Sequence, residues 1–114
     1  MNKQRRKELN HIAMLMHDLF NEINYKSDKY STLDRLNDIL NDLKDIQREE
    51  ECYMYNIPDN FHGGSRYSIA EEACDNMESA ISYLQDTLED EECTLAEIEH
   101  TLELCIKYIN LAAM

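Results

Sequence analysis

The stretch Tyr53-Met54-Tyr55-Asn56-Ile57-Pro58-Asp59-Asn60-Phe61-His62-Gly63-Gly64-Ser65-Arg66-Tyr67 decides how this chain folds. It holds the single proline and both glycines of a 114-residue sequence, so every strong helix breaker falls in one place. Pro58 drives Ile57 out of the α region, which ends any preceding helix near Asn56. Gly63 and Gly64 are expected to supply the positive φ values of a tight reversal, and Ser65 or Ser68 to cap the next helix. Ile57 and Phe61 are apolar residues in a loop, and both are expected to plug the end of a helix bundle.

Outward from this hinge, both flanks carry helical periodicity. On the N-terminal side Leu9, Ile12, Met16, Leu19, Phe20 and Ile23 recur at steps that keep them on one helical face. The rhythm resumes at Leu33, Leu36, Leu40, Leu43 and Ile46 and reaches Tyr53, Met54 and Ile57. Between the two runs, residues 25–32 are polar and out of phase. Ser31 followed by Asp34 offers a cap for a fresh helix, so the first arm is either one helix with a phase slip or two helices. On the C-terminal side Ala70, Cys74, Met77, Ile81, Leu84 and Leu88, then Leu95, Ile98, Leu102, Cys105, Ile109 and Ala112, form heptads with Glu91 as the misfit. Ser68 with Glu71 has capping-box spacing, and so does Thr94 with Glu97. The heptad phase argues for continuity through Cys93, and the Thr94 cap argues for a break at 89–94. Unbroken, this arm would extend roughly 65 Å at about 1.5 Å per residue.

The expected layout is therefore one all-α domain over 1–114, with a basic segment 1–7, a first arm 8–56, the hinge loop 57–67 and a second arm 68–113. As two long arms it is a helical hairpin, and if the arms break it has three or four helices. A hairpin covers only half of each apolar stripe, so coiled-coil or four-helix-bundle packing through a homodimer is expected. If both arms break, the alternative is a compact four-helix monomer.

The formal charge is −13, yet Lys3, Arg5, Arg6 and Lys7 precede the first acid, Glu8. Such a surface repels nucleic acid and anionic lipid and attracts basic proteins in a salt-dependent way. Cys52, Cys74, Cys93 and Cys105 are widely spaced, with no C-x-x-C, and no signal-like apolar segment follows the basic start. Reduced thiols and a cytoplasmic location are expected. No apolar run approaches membrane-spanning length.

Motifs for chemistry are weak. Glu8-x-x-His11 and Glu97-x-x-His100 each supply half of a di-metal bundle signature, but a chain rich in glutamate yields such pairs by chance. Gly63-Gly64-Ser65 before a helix resembles an anion cradle, but Asp59, Glu71 and Glu72 surround it. The expectation is a non-enzymatic chain with no catalytic residue, cofactor or metal. The densest surface feature is acidic: Asp86, Glu89, Asp90, Glu91, Glu92, Glu97, Glu99 and Glu103. Carboxylates spaced along a helix can imitate a phosphate backbone and occupy a basic channel. The bland alternative is a solvated helix face. The tyrosines offer contact area where exposed, although Tyr83 and Tyr108 lie beside seam positions and can instead widen the core stripe.

Tyr53 or Tyr55, Asn56, Ile57, Pro58, Asp59, Asn60, Phe61, Gly63 or Gly64, Ser65, Arg66 and Tyr67, followed by Ala70, Glu71 and Ala73, carry a resemblance. This pattern resembles a group of small acidic helical proteins from phages and mobile elements of low-GC Gram-positive bacteria. It covers about Glu49 to Leu84 and departs at His62-Gly63-Gly64, where the group has glutamine-glycine. The resemblance implies a phage-borne inhibitor of a host defence, such as a CRISPR effector nuclease. The expected partner is then a basic, nucleic-acid-handling host protein, with no direct binding of nucleic acid or membrane. The other expectation, of a different class, is a structural or adaptor hairpin that bridges partner proteins.

Overall fold

The computed structural model describes residues 1–23 and 28–114. Four helices form it: α1 (Lys3–Ile23), α2 (Lys29–Tyr55), α3 (Ser65–Glu89) and α4 (Leu95–Ala112). A single 3₁₀ turn, Asp59–Phe61, lies in the hinge. The helices run up, down, up, down, and α1 closes the ring by packing on α4. The result is a rod of 53 × 24 × 18 Å.

The stripes read from the sequence are the faces that meet. Leu9, Met16 and Leu19 of α1, Leu36 and Leu43 of α2, Met77 and Leu84 of α3, and Ile98, Leu102 and Ile109 of α4 are all fully buried in one core. Each helix packs against two neighbours, and the four stripes meet in one core within the chain. The half-covered stripe that motivated a homodimer is therefore not a feature of the described residues.

Both arms are divided. The expected break at 25–32 lies partly outside the described residues, at Tyr25, Lys26 and Ser27. On its far side Asp28, not Ser31, caps α2, accepting a hydrogen bond from the Tyr30 amide at 3.3 Å. In the second arm the Thr94 cap prevails over the heptad phase: Thr94 Oγ1 accepts from the Glu97 amide at 3.1 Å. The turn between α3 and α4 is built by Asp90. Its backbone is extended, its carboxylate accepts from the Glu92 amide at 3.0 Å, and its carbonyl from the Cys93 amide. On a continued helix Glu89 and Glu92, three apart, and Asp86 and Asp90, four apart, would be like-charge neighbours, and ending α3 at Glu89 relaxes them. Cys93 then turns inward and is buried, so a five-residue connection keeps the apolar phase without continuing the helix.

The basic segment is also helical, because α1 begins at Lys3. The hinge loop is shorter than 57–67, since α3 starts at Ser65 with Gly64 as its N-cap and without a side-chain cap from Ser65 or Ser68. Tyr67 therefore lies in the first turn of α3.

Candidate functional site

Cross-helix contacts fix the level of each helix along the rod. Arg5 pairs with Glu50, Gln47 with Glu78, Cys105 with Ala80, and Thr101 with Thr87. If Cys105 lies level with Ala80, α4 runs out while α3 still has more than a turn to go towards its start. The α2–α3 hairpin therefore projects beyond α1 and α4 as a tip, and the hinge loop crowns it. The α3–α4 turn lies at the other end, with the start of α2, whose Lys29 ammonium reaches the Glu91 carbonyl at 3.2 Å.

That far end gathers most of the expected acidic surface. Asp86, Glu89, Asp90, Glu91, Glu92 and Glu97 are all exposed there. Among the described residues none of them forms an ion pair. Asp86, Asp90 and Glu97 line a shallow depression of about 450 Å³ between α3 and α4, with His100. The Thr87 and Thr101 hydroxyls, bonded to each other at 2.7 Å, also line it. Glu99 and Glu103 do not join this group. Glu99 is two residues from Glu97, about 200° around the helix, and Glu103 lies one turn beyond Glu99 on the same side; neither lines the depression that Glu97 borders. The eight carboxylates are thus a cluster of six and an outlying pair, not one stripe.

At the hinge end the loop corrects two expectations. Ile57 is buried, at 7% exposure, but Phe61 is 59% exposed and does not plug the bundle. Its backbone closes the 3₁₀ turn, donating to the Pro58 carbonyl at 2.8 Å and accepting from the Gly64 amide at 3.0 Å, and the ring is thrown outward. Neither Gly63 nor Gly64 adopts a positive φ. Gly64 instead avoids crowding: a Cβ there would sit 3.2 Å from the Phe61 carbonyl oxygen, which would have to give by a few tenths of an ångström. His62 ties the loop down, its Nε2 donating to the Ile57 carbonyl at 2.9 Å while its ring stacks on Tyr67 at 4.3 Å. Beside them opens a groove of about 690 Å³ lined by Tyr53, Asn56, Ile57, Pro58, Phe61, Gly64, Ser65 and Arg66. All eight belong to the residues that carry the resemblance.

Sequence reasoning missed Glu50. It is fully buried, with Oε2 accepting from Arg5 Nε at 2.6 Å and the terminal ammonium 3.7 Å from Oε1. The Arg5 guanidinium also lies 5.4 Å from the centre of the Tyr53 ring. Two signals were present: Glu50 stands on the α2 seam between Ile46 and Met54, and the first acid-free turn of the chain supplies its cation.

The remaining candidates fall apart in space. Glu8 and His11 line an α1–α2 depression with Asp42 and Asp45, but among the described residues no three His, Cys, Asp or Glu converge to hold a metal. Burial pushes the thiols of Cys74 and Cys105 up to about 12, with Glu50 next in effect at Cys74, so both stay protonated. Cys52 is the exposed thiol, and no disulfide forms. Tyr83 and Tyr108 stack on each other at 5.9 Å on the α3–α4 surface, with Tyr83 exposed. No helix among the described residues is long and apolar enough to cross a membrane. No family model, curated protein or solved structure matches the chain.

Proposed function

We propose that this protein is a non-enzymatic binding module that seats its acidic end on a basic, nucleic-acid-handling host protein and blocks it. The observation that carries this reading is the collection of Asp86, Glu89, Asp90, Glu91, Glu92 and Glu97 at one end of the rod, exposed and, among the described residues, without ion partners. A carboxylate left unpaired on the surface keeps its full field, and several together raise the rate at which a basic channel is met. The phage setting and a defence effector such as a CRISPR nuclease as target rest on the loop resemblance, and a location in the cytoplasm of the bacterial host rests on the widely spaced, reduced cysteines.

The test is association with the partner captured from the host, measured across a salt titration. Binding should weaken steeply with salt, because exposed charges are screened within about 10 Å at 0.1 M. Changing Glu89, Asp90, Glu91 and Glu92 to Gln or Asn should slow association more than it speeds dissociation, and DNA or RNA should compete. Flat salt dependence with no competition would exclude the acidic end as the contact. A second reading, an adaptor that bridges two proteins, is favoured by one specific observation: the exposed aromatic tip stands at the opposite end of a 53 Å rod.

A further inference from the structure

The groove at the hinge end is not explained by the acidic end. Its apolar walls are Tyr53, Ile57, Pro58 and Phe61, and its volume of about 690 Å³ is in the range of pockets that accept ligands or side chains. Packing gives no reason for a benzyl group to stand 59% exposed beside it. Tyr55 and Ile69 add more exposed apolar surface to the same hairpin tip, and apolar surface gathered in this way marks a contact site.

The charge of the groove says what fits it. In a chain with 24 acidic and 11 basic residues, its single charged lining residue is a cation, Arg66. Arg66 is exposed and forms no ion pair among the described residues. The nearest loop acid, Asp59, does not line the groove and instead faces solvent 3.6 Å from His62. Helix α3 opens here with no side-chain cap, so its leading amides add donors and no acceptors.

We infer that this groove docks a short segment of a partner protein in which an aromatic or aliphatic side chain stands next to an aspartate or glutamate. The apolar side chain packs between Phe61 and the Ile57–Pro58 wall, and the carboxylate meets the Arg66 guanidinium. An acidic segment is the opposite of what the acidic end attracts. The two ends therefore take different sequences, and this inference stands whether or not the acidic end binds a nucleic-acid-handling protein.

The probe is a library of randomised octapeptides selected on the immobilised full-length protein, with enriched peptides then measured by fluorescence anisotropy. Enriched peptides should pair an apolar residue with Asp or Glu. Phe61→Ala should weaken them roughly thirtyfold, as expected for an aromatic anchor. Arg66→Gln should weaken them about threefold at low salt and less at high salt, as expected for an exposed ion pair. The variant neutralised at Glu89–Glu92 should bind them unchanged, which separates this site from the acidic end. Phe61 and Arg66 are exposed, so both variants fold, and circular dichroism checks it. Enrichment of basic peptides, no enrichment, or binding indifferent to Phe61→Ala would overturn the inference. So would self-association of the free protein, measured by sedimentation, that Phe61→Ala abolishes, because the occupant would then be a second copy of this chain.

Discussion

Glutamates stand at both ends of the rod and do opposite things. At the α3–α4 end Glu89, Glu91 and Glu92 are exposed and, among the described residues, form no ion pair, and they are tolerated because water solvates them. At the hinge end Glu50 is withdrawn from water, held by Arg5 at 2.6 Å and flanked by the terminal ammonium. The first arrangement adds a field and little stability. The second adds constraint, because it pins the start of α1 to the end of α2 through a charge that has nowhere else to go. Apolar residues show the reverse contrast: the acidic end buries Cys93, whereas the hinge end leaves Phe61 and Tyr55 in solvent. Charge by itself therefore says little about role, and the level at which a residue meets its neighbouring helices says much more.

The largest expected effect tests the buried pair. Arg5→Ala should destabilise the fold by about 3–5 kcal/mol in denaturant unfolding, since it leaves a buried carboxylate without its closest cation. Arg5→Met combined with Glu50→Leu should recover most of that loss. A double variant no better than Arg5→Ala would mean that Arg5 acts through packing on Tyr53 rather than through charge.

Next comes the split within the hinge. Ile57→Ala should cost about 2–5 kcal/mol, towards the lower end at the edge of a core, while Phe61→Ala should stay within about 0.5 kcal/mol of the parent. Equal losses would place Phe61 in the core after all. A smaller effect, about 1 kcal/mol, is expected for Thr94→Ala, which removes the one side-chain cap of α4 and is read as a lower melting temperature. The smallest effect belongs to the acidic end. Neutralising Glu89, Asp90, Glu91 and Glu92 to Gln or Asn should leave the melting temperature unchanged or slightly raised, because like charges are removed, no ion pair is lost and Asn at 90 keeps the oxygen that accepts from the Glu92 amide. A clear fall would show that these carboxylates hold the turn, Asp90 through its bond to the Glu92 amide above all.

Much of the architecture was legible in residues that act locally. The period of Leu9, Ile12, Met16 and Leu19 named the buried face of α1, Pro58 ended α2 within a residue or two, and Thr94 with Glu97 marked the start of α4. The acidic surface was also legible as a density of carboxylates. A single residue's type is a poor guide at the hinge: neither Gly63 nor Gly64 adopts a positive φ, and Gly64 serves by leaving room beside the Phe61 carbonyl. The apolar character of Phe61 points to burial, but a one-turn 3₁₀ segment throws its ring outward. Glu50 is hard to read from sequence because a glutamate in a seam looks like a gap until its partner across the helices, Arg5, is known.

The sequence by itself determined that this chain is helical, where its breakers stand, which face of each helix is apolar, and that its charge is negative except at the start. These follow from propensity and periodicity, which are properties of neighbours along the chain. The tertiary structure alone decided that the stripes close on each other within one chain, since whether the α3–α4 connection folds back depends on what α4 then packs against. It alone set α2 and α3 projecting past the other two helices, which exposes Phe61 and forms the groove beside Arg66. And it alone brought Asp86 of α3 and Glu97 of α4 to one depression, because the level and facing of one helix against another are fixed only by packing.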